Sequence, residues 1–222
     1  MQHLRDTKTE LVAGIIIDNV AIKPARILVV GCGTGVEAAI LARSLQAEVV
    51  GIDIEDNFDP ESAKQAELKK DDAMSLSFAD DSFDFVYSYH ALEHFPDPVR
   101  ALNEMGRVLR PGGGYWVGTP NRLRLVGYLG SKDATGMEKL RWNLIDWKAK
   151  MTGRFRNELG AHAGFSNAEL GAMLAEVFPV VNNMTDLYFL ALYRNYGKLL
   201  RLIRLSGLSP LVYPSIYFMG TN

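Results

Sequence analysis

Cys32 is the only cysteine among 222 residues. That excludes a disulfide scaffold and any structural zinc site needing two or more thiolates, and it suits a reducing compartment. Long apolar runs are missing too: no stretch approaches the ~20 residues of a membrane-spanning helix. The segment Met1–Glu10 is polar and lacks an apolar signal core. A soluble, cytoplasmic protein is the expectation. An excess of one charge is also lacking, since the net charge is −2. With no basic-aromatic strand surface or known RNA module, no nucleic-acid partner is expected. Internal repeats, low-complexity segments and clear linkers are absent, so residues 1–222 are read as one domain.

What is present is globular: 48% hydrophobic and 23% charged residues. The near-neutral total hides two halves. Residues 1–121 carry 11 basic and 19 acidic side chains, a net −8, whereas residues 122–222 carry 13 and 7, a net +6. The two halves should therefore face different surroundings.

Hydropathy patterning gives alternating elements. A capping box at Thr7 and Glu10 opens a helix running to about Asn19. Arg26–Val30 reads as a strand buried on both faces, Val36–Leu45 as a helix, and Glu48–Ile54 as a second strand. Pro60–Glu67 suggests a short helix, Leu68–Lys70 a short strand, Phe83–Tyr89 a strand and Pro98–Leu109 a helix. Pro111-Gly112-Gly113 makes a turn before a strand from Gly114 to Thr119. The alternation predicts an α/β, Rossmann-like doubly wound, mostly parallel sheet with helices on both faces. Residues 26–120 form its core. An inserted helical cap follows the fifth strand over residues 121–161. Residues 162–222 supply C-terminal helices and strands: a capping box at Ser166 and Glu169, a strand from Val180, a helical stretch over 187–205, and a last strand Ser215–Gly220.

The first strand ends in Gly31-Cys32-Gly33-Thr34-Gly35. Glycines between strand and helix let a ligand approach the backbone, and the helix N-terminus beyond offers free N–H groups. The third glycine comes one residue early for the dinucleotide pattern, and no Gly-Lys-Ser/Thr follows for a P-loop. Asp53 lies near the end of the second strand, where a carboxylate can accept hydrogen bonds from ribose hydroxyls.

Four segments, in order, resemble the class I S-adenosylmethionine-dependent methyltransferases of type 11. They are Ile27–Gly35, Val49–Ile54, Asp72–Phe78 running into Asp81–Val86, and Ala91–Phe95 through Val108–Gly113. The likeness covers residues 26–120; residues 121–222 match only in outline. It implies S-adenosylmethionine as cofactor and S-adenosylhomocysteine as product. Gly31, Gly33 and Gly35 would pack against the methionine part and sulfonium. Asp53 would hold the ribose and Ile54 the adenine face. Asp72 would accept from the adenine amino group beside the Ala73 backbone, and Ser88 would line the methionine end. One position departs: Val29 stands where the family usually carries an acid that organises the glycine loop. Glu37 could compensate, or the chain could be a non-catalytic binding protein.

An oxygen or nitrogen acceptor needs a base for its proton. The candidates are His90 and His94, after the fourth strand, and His162, from the cap; His3 lies too near the terminus. Tyr89 and Asn121 are candidate lining residues. His90-Ala91-Leu92-Glu93-His94 also reads as H-x-x-E-H, the signature of a metal-dependent hydrolase. The strand-end context favours the methyltransferase reading, with no metal. The acceptor is a small molecule, lipid-like or anionic. The stretch 121–161 interleaves nine basic residues with Trp142, Trp147 and Phe155. Residues 187–205 carry four basic and no acidic residues among leucines, which suits an anionic membrane surface, packing on the sheet, or a dimer contact.

Overall fold

The structure is a computed structural model describing residues 7–128, 134–157 and 162–222. His3, and the Thr7 side chain on which the first capping box depends, lie outside the described residues. Seven strands form one sheet: β1 (Arg26–Val30), β2 (Glu48–Asp53), β3 (Glu67–Lys70), β4 (Phe83–Tyr89), β5 (Leu109–Pro120), β6 (Val180–Asn183) and β7 (Ser215–Thr221). Their order is 3-2-1-4-5-7-6. β1 to β5 run parallel, and β7 is antiparallel to both β5 and β6. This is the doubly wound, mostly parallel sheet that the alternation predicts.

The helices are α1 (Thr7–Asn19), α2 (Val36–Leu45), α3 (Pro98–Val108), α4 (Gly136–Met151), α5 (Asn167–Val177), α6 (Thr185–Leu192), α7 (Gly197–Leu205) and α8 (Ser209–Val212). They cover both faces because the central strands are apolar on both. Ile27 and Val29 of β1 pack with Val12, Ile16, Leu41 and Tyr188, from α1, α2 and α6. Leu28 and Val30 point the other way, against Leu102, Met105, Leu170 and Leu174 of α3 and α5. Each such buried side chain contributes about 2 kcal/mol relative to exposure.

Several boundaries differ from the sequence reading. The helix expected over Pro60–Glu67 is a single 3-10 turn, Ser62–Lys64, held by the Asp59 carboxylate, which accepts from the backbone and hydroxyl of Ser62. β5 starts at Leu109, not Gly114. Leu109 pairs with Phe83 and Gly114 with Phe85, so an irregularity absorbs the extra residues around Gly112, which has a φ of 75°. The helical stretch over 187–205 is two helices, α6 and α7, parted by a 3-10 turn at Arg194–Tyr196. Asn195 and Gly197 are weak helix formers, and the break lets Leu200 of α7 join Phe189 of α6 in the same core. The cap contains α4, whose capping box at Thr135 and Glu138 the sequence reading missed. Among the described residues, no helix is long and apolar enough to cross a membrane.

Candidate active site

The sheet order reverses at β1, which lies between β2 and β4, so a crevice opens at the carboxyl ends of these strands. The glycine turn forms its floor. The Gly31 and Cys32 N–H groups both donate to the Ile52 carbonyl, each at 2.9 Å, tying the turn to β2. Gly31 has a φ of 72°, and a Cβ there would lie 2.3 Å from the Ala91 Cβ, so only glycine fits. At Gly33 a Cβ would meet nothing within 4 Å, which leaves open space above the backbone.

Asp53 completes the turn. Its Oδ2 accepts from the Gly33 N–H at 2.8 Å, and Oδ1 accepts from the Glu55 N–H at 3.2 Å. The loop-organising acid expected at position 29 is therefore supplied from the end of β2. Val29 itself is buried in the apolar cluster that includes Ile27 and Cys32. Glu37 lies in the first turn of α2. Cys32 is inert: burial, and then the Asp53 carboxylate, push its thiol up to about 12.

A cavity of about 600 Å³ is walled by Gly31, Gly33, Asp53, Ile54, Asp72 and Ala73, with His90, Ala91, His94 and Phe95 at its far end. Six of the eight sequence-predicted cofactor positions meet there. Ile54 is 61% exposed on this wall although it is a large apolar residue. Asp72 Oδ1 accepts from the Met74 N–H at 2.9 Å, which fixes the carboxylate at the cavity edge. Gly35 and Ser88 do not line the cavity. Gly35, with φ 86°, caps α2, and a Cβ there would strike Leu68 at 2.3 Å. Ser88 is fully buried within the sheet, and its hydroxyl has no hydrogen-bond partner among the described residues.

A second cavity, of about 440 Å³, adjoins the first; both are lined by His90 and His94. Its walls carry the rings of Tyr89, Tyr188, Phe189 and Tyr217, and the cations Lys8 and Arg124. Tyr89 and Tyr217 stack, with their hydroxyls 3.4 Å apart, and burial raises both phenols well above their usual range. His162 also lines this cavity, its ring edge-on to His94 at 4.8 Å. Asn121 is not a lining residue. It is buried, donating to the carbonyls of Pro210 and Tyr213 and accepting from the Leu123 N–H.

Between the histidines sits Glu93, its side chain 1% exposed, with Oε1 3.8 Å from His90 Nδ1 and 3.9 Å from His94 Nε2. Burial raises this carboxyl to about 7. His90 and His94 are both pulled below the ordinary imidazole value, first by burial and then by nearby cationic or imidazole groups. Both are therefore neutral at pH 7. His90 holds a left-handed φ of 54°, and its N–H donates to the Gly118 carbonyl at 2.7 Å. A non-glycine residue in that region is strained by about 1–3 kcal/mol, a feature that concentrates at functional sites.

The hydrolase reading of H-x-x-E-H needs both histidines on one helix face. The segment forms a single 3-10 turn, Leu92–His94, with His90 outside it. The donor atoms that converge, within 4.8 Å of one another, belong to Glu93, His94 and His162 instead. Sequence reasoning undervalued Glu93, visible only through that motif. Arg124 was visible only as one of the basic residues of 121–161, and Lys8 and Tyr217 carried no local signal, because the fold alone brings all three to the cavity.

A sequence model of the methyltransferase-domain family matches residues 28–117. The methyltransferase GfsG of Streptomyces halstedii is 38% identical over 104 residues, 40% of this chain and 35% of that protein. The 2-methyl-6-phytyl-1,4-hydroquinone methyltransferase of a Synechocystis species is 40% identical over 97 residues, 39% of this chain and 29% of that protein. The match thus spans about a third of the length of these curated relatives. Among solved structures, a possible histamine N-methyltransferase from Thermotoga maritima superposes with a TM-score of 0.55 at 21% identity, covering 99% of this chain and 90% of that one. That likeness shows the fold.

Proposed function

We propose that this chain, whose residues 28–117 match the methyltransferase-domain family model, is a class I S-adenosylmethionine-dependent methyltransferase that moves a methyl group from that cofactor to a small-molecule acceptor. The observation that carries the reading is the meeting of two cavities at His90 and His94.

The residues of the first cavity fit the cofactor. Its volume lies within the ~300–1,000 Å³ range of small-molecule sites. The open face of Gly33 leaves room at the backbone, Asp53 and Asp72 offer carboxylate acceptors, and Ile54 offers an apolar face. When bound, the cofactor supplies an electrophilic methyl group on a sulfonium whose leaving group is neutral. The chain's own task is then to position the acceptor and take up its proton.

His94 is the proton acceptor in this reading. It is neutral at pH 7 and lines both cavities. Glu93 Oε1 lies 3.9 Å from Nε2 and holds one side of the ring, and His162 closes the opposite side. Glu93 and His162 are positioning residues. The aromatic walls suit a ring-bearing acceptor, and Lys8 and Arg124 favour one that becomes anionic. The hydroquinone named for the Synechocystis relative has this chemistry, which supports a phenolic or quinol acceptor.

Titration calorimetry with S-adenosylmethionine and S-adenosylhomocysteine should give one site. Transfer of labelled methyl to a panel of hydroquinones and phenols should follow, and His94→Ala should lower turnover about a hundredfold, far more than it lowers cofactor affinity. Absent binding overturns the reading. Binding without transfer to any panel member returns the non-catalytic alternative.

A further inference from the structure

We propose that α4, α7, α8 and the turn at residues 123–126 form one docking face for an anionic lipid bilayer, from which the acceptor enters the second cavity. The entry step rests on the reading of that cavity as the acceptor site; the docking face does not.

The first support is an inverted helix. In α4 the residues Met137, Leu140, Leu144, Trp147 and Met151 recur at alternating steps of three and four, an apolar stripe along one face. All five are exposed, from 39% to 82%, and the residue that α4 buries is the polar Asn143. Asn143 holds the following turn in place: its Oδ1 accepts from the Gly127 N–H at 2.7 Å, and its Nδ2 donates to the Gly127 carbonyl at 3.2 Å. The helix is therefore anchored by hydrogen bonds on its inner side, with its apolar stripe outward.

The second support is α7. Leu200 and Ile203 pack inward, while Leu199, Leu202 and Leu205 point out, Leu205 at 83% exposure. The two helices belong to one surface. The Leu125 N–H donates to the Leu211 carbonyl of α8 at 2.8 Å, and Trp147 Nε1 donates to the Leu125 carbonyl at 2.6 Å. Leu125 and Leu211 are themselves exposed, continuing the apolar strip between α4 and α7.

Charge selects the occupant. Lys139, Arg141 and Lys148 on α4, and Arg194, Lys198 and Arg201 around α7, have no ion pair among the described residues. The nearby acids are engaged: Glu138 in the α4 capping box, Asp146 with Arg124 at 3.1 Å, and Asp186 with Arg204 at 3.6 Å. Exposed leucines flanked by free cations match an anionic interface. A second copy of this chain would set like charges face to face. The cavity opens beside this surface: Arg124 and Tyr128 of the turn that α4 covers, and Tyr193 at the end of α6, line it.

Co-sedimentation of the full chain with vesicles of phosphatidylcholine, alone or doped with phosphatidylglycerol, tests the face. Binding should require the anionic lipid and weaken with salt. Leu202→Glu/Leu205→Glu should lower it at least about tenfold. Lys198→Glu/Arg201→Glu, which leaves the apolar residues in place, should lower it about as much. Both variants should keep wild-type affinity for S-adenosylmethionine. No binding of the wild type to anionic vesicles, or equal binding by both variants, overturns the proposal. So does a wild-type dimer in sedimentation velocity that Leu202→Glu/Leu205→Glu dissociates. Calorimetry on the same preparations separates the two readings: lost cofactor binding with vesicle binding intact strikes the methyl-transfer reading alone.

Discussion

The cofactor-side region 26–120 and the region 122–222 treat apolar surface in opposite ways. In the first, one large hydrophobic side chain stands exposed, Ile54, and it does so on the wall of the first cavity. In the second, nineteen are exposed among the described residues, most of them on α4, α7, α8 and the turns at 123–126 and 208. A contiguous exposed apolar patch marks a place where something binds, whereas a single exposed side chain gains meaning only from the cavity it lines. The first region thus presents a site for one small ligand, and the second a face for something extended. The −8 and +6 charge split follows the same boundary near Asn121, so in the proposed reading the acidic module holds the cofactor and the basic one meets the acceptor's surroundings.

The largest expected effect tests the first half of that comparison. Asp53→Ala removes the carboxylate that accepts from the Gly33 and Glu55 N–H groups. Hydrogen bonds to a charged group contribute about 1.5–3 kcal/mol each, and here they order the glycine turn as well as offering acceptors for a ribose. Calorimetry should show S-adenosylmethionine affinity falling about a hundredfold, with vesicle binding unchanged. An unaltered affinity would falsify the placement of the cofactor at this cavity.

A smaller effect is expected where the two regions meet. Glu93 is buried, and its carboxyl is raised from 4.5 to about 7. Between those values the folded chain keeps a proton that the unfolded chain has released, so stability falls as pH rises through that window and is flat above it. Glu93→Gln removes the slope. In urea unfolding the variant should gain about 3 kcal/mol over the wild type at about pH 8 and nothing near pH 4. Its turnover should fall while cofactor affinity holds. Parallel stability curves for the two proteins would mean that Glu93 is ionised and matched in the fold, and that the junction stores no such strain.

The same division explains what the sequence disclosed. The cofactor side is built from contiguous segments: a strand, its glycine turn, and an acid at the end of the next strand. Gly31, Gly33, Asp53, Ile54, Asp72 and Ala73 could be named because the family resemblance carried by those segments assigns them, and parallel pairing brings the strand ends they follow together. Gly35 and Ser88 share the offsets, but Leu68 packing and burial in the sheet claim them. The acceptor side is assembled from distant pieces. His94 meets His162, Tyr89 meets Tyr217, and Arg124 reaches the His162 carbonyl at 3.0 Å only after the cap has folded back. No short-range spacing encodes those encounters. The outward stripe of α4 was equally hidden, because periodicity reports that a helix has an apolar face and not which way it turns. Asn143 and Trp147, through their bonds to the turn residues 125–127, make that choice.

The smallest predicted effect probes whether α4 stands as independently as its exposure implies. Thr135 and Glu138 form a reciprocal cap: the Thr135 N–H donates to Glu138 Oε2 at 2.7 Å, and the Glu138 N–H donates to Thr135 Oγ1 at 3.3 Å. Removing an N-cap side chain costs about 1 kcal/mol of helix stability. With one polar side chain buried, α4 has little tertiary packing to absorb that loss, so it should surface locally. Thr135→Ala should accelerate hydrogen exchange across α4 about fivefold while β1, β4 and α3 exchange as before. Affinity for S-adenosylmethionine should stay level, because none of the residues walling the first cavity belongs to α4 or its turn. Acceleration shared by the central strands would mean that the cap and the cofactor module open together, and the contrast between a closed module and an exposed docking element would then collapse into one cooperative unit.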